Sequence, residues 1–206
     1  MDTMEISLDG YTDLPPGKIA NVVTYLEMTA PAPAMPGPER PDLALRRVAD
    51  PDVAWFRALI RKVGEEWLWF SPLVMPERQL RAILSDPLME THVLERGGAE
   101  VGITQLDRRV PGAVEIAFFG VAGSEIGTGA ARWLMNRTLG MAFASGIRRV
   151  WVHTCTFDHP SAVPFYLRAG FVPYKLAIEV TDDPRLAGAV PETAGRHVAL
   201  IRPGGG

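Results

Sequence analysis

Ala113-Val114-Glu115-Ile116-Ala117-Phe118-Phe119-Gly120-Val121, followed by Ile126-Gly127-Thr128-Gly129-Ala130-Ala131, is the stretch on which the fold turns. Its first half is the most apolar run of the chain, carries Glu115 as its only charge and reads as a strand. Its second half is a glycine-rich turn, after which Leu134, Leu139, Met141, Ala142 and Phe143 keep helical spacing toward a stop at Gly146. Unpaired N–H groups at such a helix start point outward and the helix dipole favours anions, so the turn suits a phosphate. Taken alone, the two glycines can equally be there to let the helix pack closely on the sheet. A dinucleotide loop would need a third glycine where Arg132 stands, and that reading is disfavoured.

Upstream, Ile19–Met28 is β-branched and reads as an early or edge strand, and the five prolines between Ala30 and Pro41 mark a connector. Leu43–Val48 is a short strand. Asp50-Pro51-Asp52 then caps a helix carrying Val53, Phe56, Leu59, Ile60 and Val63. Glu65–Pro72 reads as a helix end running into a loop, and Pro76–Leu84 as a second short helix. Thr91–Arg96 and Glu100–Arg108 form a hairpin about Gly97-Gly98. Downstream come a strand at Arg149–Thr156, a helix at Ser161–Ala169, a strand at Phe171–Val180 and a last strand at His197–Arg202. Pro164 should kink that helix or confine it to the part after Val163. This order predicts an α/β domain of α+β type, with a mixed, mainly antiparallel sheet flanked by helices. It divides the chain into 1–42, a strand plus connector, and a catalytic-sized domain at 43–206.

The 21 basic and 24 acidic side chains leave a formal charge of -3, which offers nothing to nucleic acid or an anionic membrane. No apolar run approaches the ~20 residues of a membrane span. The opening Met1-Asp2-Thr3-Met4-Glu5 is acidic and shows no signal segment, so the expected location is the cytoplasm. A single cysteine excludes an internal disulfide, and histidines at 92, 153, 159 and 197 have no metal-ligand spacing, so no metal is expected.

The glycine turn together with Tyr166-Leu167-Arg168-Ala169-Gly170-Phe171 resembles the GNAT superfamily of acyl-CoA-dependent N-acyltransferases, over roughly Leu43 to Val180. That family grips the CoA pyrophosphate with a Gln/Arg-x-x-Gly-x-Gly/Ala loop and ends a later helix in Tyr-x-x-x-Gly-Phe. Gly129 and Ala131 match the loop, Gly127 its frequent extra glycine, and Tyr166, Gly170 and Phe171 the second motif. Ile126 and Thr128 stand where the family carries Gln/Arg and a basic residue, which leaves the backbone of Gly127 to Ala131 and the Thr128 hydroxyl as donors.

The resemblance implies transfer of an acetyl group from acetyl-CoA to a primary amine of a small molecule or peptide, by direct attack. Phe119, Val121, Ile126, Gly127, Thr128, Gly129, Ala130 and Ala131 would bind the co-substrate, with Tyr166 as general acid and Glu115 as base. Glu115, Ala117, Phe119 and Val121 alternate onto one strand face, so the base role requires that face to open on a cleft; a solvent-facing carboxylate is the plainer reading. Trp67, Leu68, Trp69, Phe70 and Leu73, with Glu65 and Glu66 beside them, fall where the family walls its acceptor pocket, and His153 is placed to line it. Cys155 reads as a small core residue, Asp158 and His159 as helix-start residues, and His92 and His197 carry no argument. The competing function is a catalytically silent CoA-binding module; a homodimer is compatible with either.

Overall fold

The computed structural model describes residues 4–143 and 146–204. Among the described residues seven strands form one sheet: β1 (Lys18–Met28), β2 (Leu43–Val48), β3 (Met89–Arg96), β4 (Ala99–Asp107), β5 (Ala113–Val121), β6 (Arg149–Cys155) and β7 (Val172–Asp182). Five α-helices accompany them among the described residues: α1 (Val53–Gly64), α2 (Ser71–Val74), α3 (Glu77–Leu84), α4 (Ala130–Ala142) and α5 (Ala162–Arg168). The mixed α+β architecture is the one the element order predicts.

Local chemistry accounts for the helices. Asp52 Oδ1 accepts from the N–H groups of Ala54 and Trp55 and starts α1, whose Val53, Phe56, Leu59, Ile60 and Val63 are buried as their spacing requires. Pro164 does not kink α5. It lies in the first turn, where its missing N–H would have had no intrahelical partner. The helix after the glycine turn ends at Ala142, short of Gly146, and positions 144 and 145 of the expected helix lie outside the described residues.

The strand order is β2-β3-β4-β5-β6-β1-β7. β1 is therefore an interior strand and not an edge: it pairs antiparallel with β6 and with β7, and Leu26 in its second half is fully buried. The expected strand at His197–Arg202 does not form. Its segment is held instead by a buried ion pair, in which Arg185 donates to both oxygens of Asp183 and to the carbonyls of Ala194, Gly195, Val198 and Ala199. The carbonyls of Val198 and Ala199, which belong to the expected strand, are turned onto this guanidinium.

Two irregularities position the site. Leu106 pairs with Ile116 and Gln105 with Phe118, so Ala117 is an extra residue and β5 bulges there. The parallel pairing of β5 with β6 spans only Ala113 to Glu115, matched to Arg149 to Trp151, and beyond it the two strands part. One core, built on Leu134, Met135, Ile116, Phe119 and Tyr166, lies under α4 and α5. A second, built on Phe56, Ile60, Val93 and Ile103, lies under α1 and α3.

Candidate active site

A cavity of about 1140 Å³ opens where β5 and β6 separate. Phe119 and Val121 from β5, Ile126, Gly127, Gly129 and Ala131 from the glycine turn, and Tyr166 from α5 line it. Trp67, Trp69, Phe70 and His153 line its other half. Of the acceptor stretch, Glu65, Glu66 and Leu73 are not part of the wall, and neither are Glu115, Thr128 and Ala130, which the sequence reading gave to catalysis and CoA binding.

Glu115, Thr128 and Ala130 each have a physical reason. The bulge at Ala117 reverses the alternation, so Glu115 does not share a face with Phe119 and Val121; those two pack with the α4–α5 core, whereas Phe118 beside the bulge packs with the α1 core. The Glu115 carboxylate instead stands 3.4 Å from His153 Nδ1, and His153 is the one that reaches the cavity. The Thr128 hydroxyl is turned into the base of the turn, where it donates toward the Glu125 carbonyl and carboxylate and accepts from Ala130 N–H at 3.3 Å. Ala130 is wholly buried, and its N–H is thereby taken. The turn keeps the shape an anion site needs: Gly127 and Gly129 have φ of 79° and 86°, and a side chain at Gly127 would meet nothing.

Cations arrive at the turn from elsewhere in the chain. Arg40 in the proline-rich connector donates to the Thr128 carbonyl and is paired with Asp42. Arg96 at the end of β3 is paired with Glu125, which is itself buried. Arg132, on the first turn of α4, reaches the Pro38 carbonyl and lines the cavity. The connector lies along α4, with Met35 N–H and carbonyl both bonded to Asn136, and meets the α5–β7 corner where Ala32 leaves no room for a side chain at Gly170.

At the Tyr166 end the ring is clamped edge-on by Phe119, Phe165 and Phe171. Among the described residues no group hydrogen-bonds its hydroxyl, and burial, with the Asp158 charge adding to it, holds the phenol well above its ordinary range. Asp158 is more than a helix-start residue: Oδ1 accepts from the Trp69 indole at 2.8 Å, and Oδ2 accepts from the Thr154 hydroxyl at 2.6 Å and from Cys155 N–H. The Trp69 ring packs against both Gly64 and Gly120, where an added Cβ would overlap it.

Sequence reasoning missed Asp158, Asn21, Tyr25 and Glu179 as wall residues. It had no means of finding the last three, because they depend on β1 entering the sheet between β6 and β7. His197 has a place after all: its ring packs against Trp67, whose other neighbour is His159, and its Nε2 is 2.9 Å from the Phe157 carbonyl. Cys155 also lines the cavity, with burial and then the Asp158 charge pushing its thiol from 9.0 up to about 11. Among the described residues no cluster of side chains suited to a metal ion occurs, and no helix is long and apolar enough to cross a membrane.

The family model of the acetyltransferase (GNAT) family matches residues 56–171. No curated protein matches the chain in sequence. Among solved structures, a GCN5-related N-acetyltransferase from Sphaerobacter thermophilus is similar at 20% identity and a TM-score of 0.57, over 82% of this chain and 52% of that one. An acetyltransferase of the GNAT family from Novosphingobium aromaticivorans is similar at 16% and 0.54, over 82% and 68%. An aminoglycoside acetyltransferase from an uncultured soil metagenomic sample is similar at 20% and 0.51, over 63% and 88%. At such identities the likeness is one of fold. The chain spans about half the length of the Sphaerobacter protein.

Proposed function

The chain belongs to the GNAT acetyltransferase family, and from that premise we propose that it moves an acetyl group from acetyl-CoA to the primary amine of a small molecule or peptide with an apolar body. The observation that carries this reading is the Tyr166 hydroxyl, free of hydrogen bonds among the described residues, at the wall of a cavity that the parting of β5 and β6 opens beside the glycine turn.

Acetyl-CoA supplies an activated thioester. The first N–H groups of a helix have no intrahelical partner, and at α4 those near Gly129 and Ala131 are the donors for the pyrophosphate, with the Arg132 guanidinium beside them. The amine attacks the thioester carbonyl, the C–S bond breaks, and Tyr166 gives its proton to the departing thiolate. A neutral phenol is the form that can do this, and burial keeps it neutral. The amine loses its proton to His153, which Glu115 orients from behind; Glu115 is thus a positioning residue for the base. Asp158 and Glu179 supply negative charge at the aromatic end, where Tyr25, Trp67, Trp69 and Phe70 form the walls, and this favours a cationic amine on an apolar body. A cytoplasmic location is part of the proposal and agrees with one free cysteine.

A second reading, a CoA-binding module without turnover, draws support from the Thr128 hydroxyl being spent on Glu125. Calorimetric titration with acetyl-CoA, followed by thiol release over a panel of aromatic and aliphatic amines, separates the two. Binding with release supports transfer, binding without release the silent module, and no binding at millimolar ligand removes both.

A further inference from the structure

The registers of β6, β1 and β7 line up side chains in rows across one face of the sheet. His153 and Tyr25 stand in one row, Cys155, Val23 and Ala177 in the next, and Asn21 and Glu179 in a third. All of them line the cavity. Leu26 and Val152, which alternate with them along the strands, belong to the core under α4 and α5, so the rows lie on the opposite face from those helices. Four residues separate Tyr25 from Asn21, about 13 Å of strand, and the row between is small and apolar.

The third row is chemically one-sided. Asn21 is only 3% exposed; its Nδ2 donates to Glu179 Oε2 at 2.9 Å, and its buried Oδ1 has no hydrogen-bond partner among the described residues. Glu179 is thus held by a neutral amide. The cation nearest to it along β7, Lys175, is turned to the first row, with Nζ 3.8 Å from the centre of the Tyr25 ring. Arg132 and Arg168, the cations of the cavity wall, belong to α4 and α5. Asp158, the other carboxylate of the wall, is already taken up by Trp69, Thr154 and Cys155. Glu179 with Asn21 therefore offers a negative charge and two unmatched acceptor oxygens, a set that suits the three N–H donors of an ammonium. A donor brought by a bound molecule also relieves the cost of leaving a buried acceptor unpaired.

We infer that Glu179 and Asn21 form a second amine subsite and that the acceptor is an elongated di- or polyamine. One amine lies at His153, the second is held as an ammonium on the Glu179 carboxylate, and the methylene body between them crosses Val23, Ala177 and Cys155. The inference rests on the acetyl-transfer reading for the role of the first amine. The second amine is held by charge and hydrogen bonds, which binding reads without turnover.

The test is calorimetric titration of the full chain, in excess CoA, with three probes of equal length: 1,8-diaminooctane, octylamine and 8-aminooctanoate. The diamine should bind about tenfold or more tighter than octylamine, the scale of one charge-assisted hydrogen bond, and the amino acid weakest. Glu179→Gln should bring the diamine and octylamine together, and Glu179→Lys should invert the order in favour of 8-aminooctanoate, while circular dichroism reports that these exposed changes leave the fold intact. 1,3-Diaminopropane, too short to reach both rows, should gain nothing over propylamine. Equal affinities for diamine and octylamine, a preference that survives Glu179→Gln, or the same preference in the short pair overturns the inference. Thiol release from acetyl-CoA with the same amines separates the two readings: a Glu179-dependent binding preference without release supports the subsite and removes acetyl transfer, whereas release without any preference removes the subsite alone.

Discussion

Arg40 donates from Nη1 to the carbonyl oxygen of Thr128 at 2.6 Å, joining the proline-rich connector to the glycine turn across 88 positions of sequence. The connector is thereby a working part of the site. Its Pro38 carbonyl also holds Arg132, the guanidinium on the cavity wall nearest the turn.

Arg132→Gln should therefore weaken acetyl-CoA binding about 10- to 100-fold, the range of one hydrogen bond to a charged group. Arg40→Gln, which acts through the position of the turn, should cost less. Gly129→Val should abolish binding, because φ of 86° is strained for any side chain and the backbone must be approached closely. Calorimetry on the three variants checks this, and equal affinities for Arg132→Gln and the wild type would place the pyrophosphate elsewhere.

Tyr166→Phe keeps the ring among Phe119, Phe165 and Phe171 and removes only the hydroxyl. Turnover should fall 10²–10⁴-fold, as expected on loss of a general acid, while acetyl-CoA affinity changes little. Because burial raises the phenol above its ordinary value, the wild-type rate should not decline through loss of this proton at any pH up to about 10. A decline near pH 9 that Tyr166→Phe removes would show a more exposed phenol than the one described.

His153→Gln and Glu115→Gln should differ in kind. Loss of the imidazole removes the proton acceptor and lowers kcat across the pH range. Loss of the carboxylate leaves the acceptor in place and removes only the group 3.4 Å away that orients it, so kcat should fall less. If Glu115→Gln lowers the rate as much as His153→Gln, the order of the two residues is wrong.

Cys155→Ala should retain most activity, and acetyl-CoA should not acylate the thiol. Its folded value of about 11 lies above the ordinary 9.0, so the stability linked to it is fully present below about pH 9 and is lost as pH climbs through 11. Alkylation should be slow at pH 8, keep rising through pH 10, and slow when acetyl-CoA fills the cavity. Fast labelling at pH 7 would mean a thiolate that the burial does not permit.

The sequence by itself determined the elements and their class, because those rest on local spacing: the amphipathic α1, the hairpin at Gly97-Gly98, the apolar β5 and the turn before α4 each carry their signal within a few residues. It also placed Tyr166 and the positive-φ glycines Gly127 and Gly129 on one cavity, through motifs that are themselves local. Tertiary structure decided the rest. Strand order depends on pairing across more than a hundred residues, so β1 looked like an edge and proved interior, bringing Asn21 and Tyr25 to the cavity. The bulge at Ala117 reversed the facing of Glu115 relative to Phe119, and no period-of-two reading detects one extra residue. Side chains that converge from distant segments, such as Trp69 on Asp158 or Arg40 on Thr128, carry no pattern in the chain, because a hydrogen bond depends on proximity in space and is indifferent to separation along the backbone.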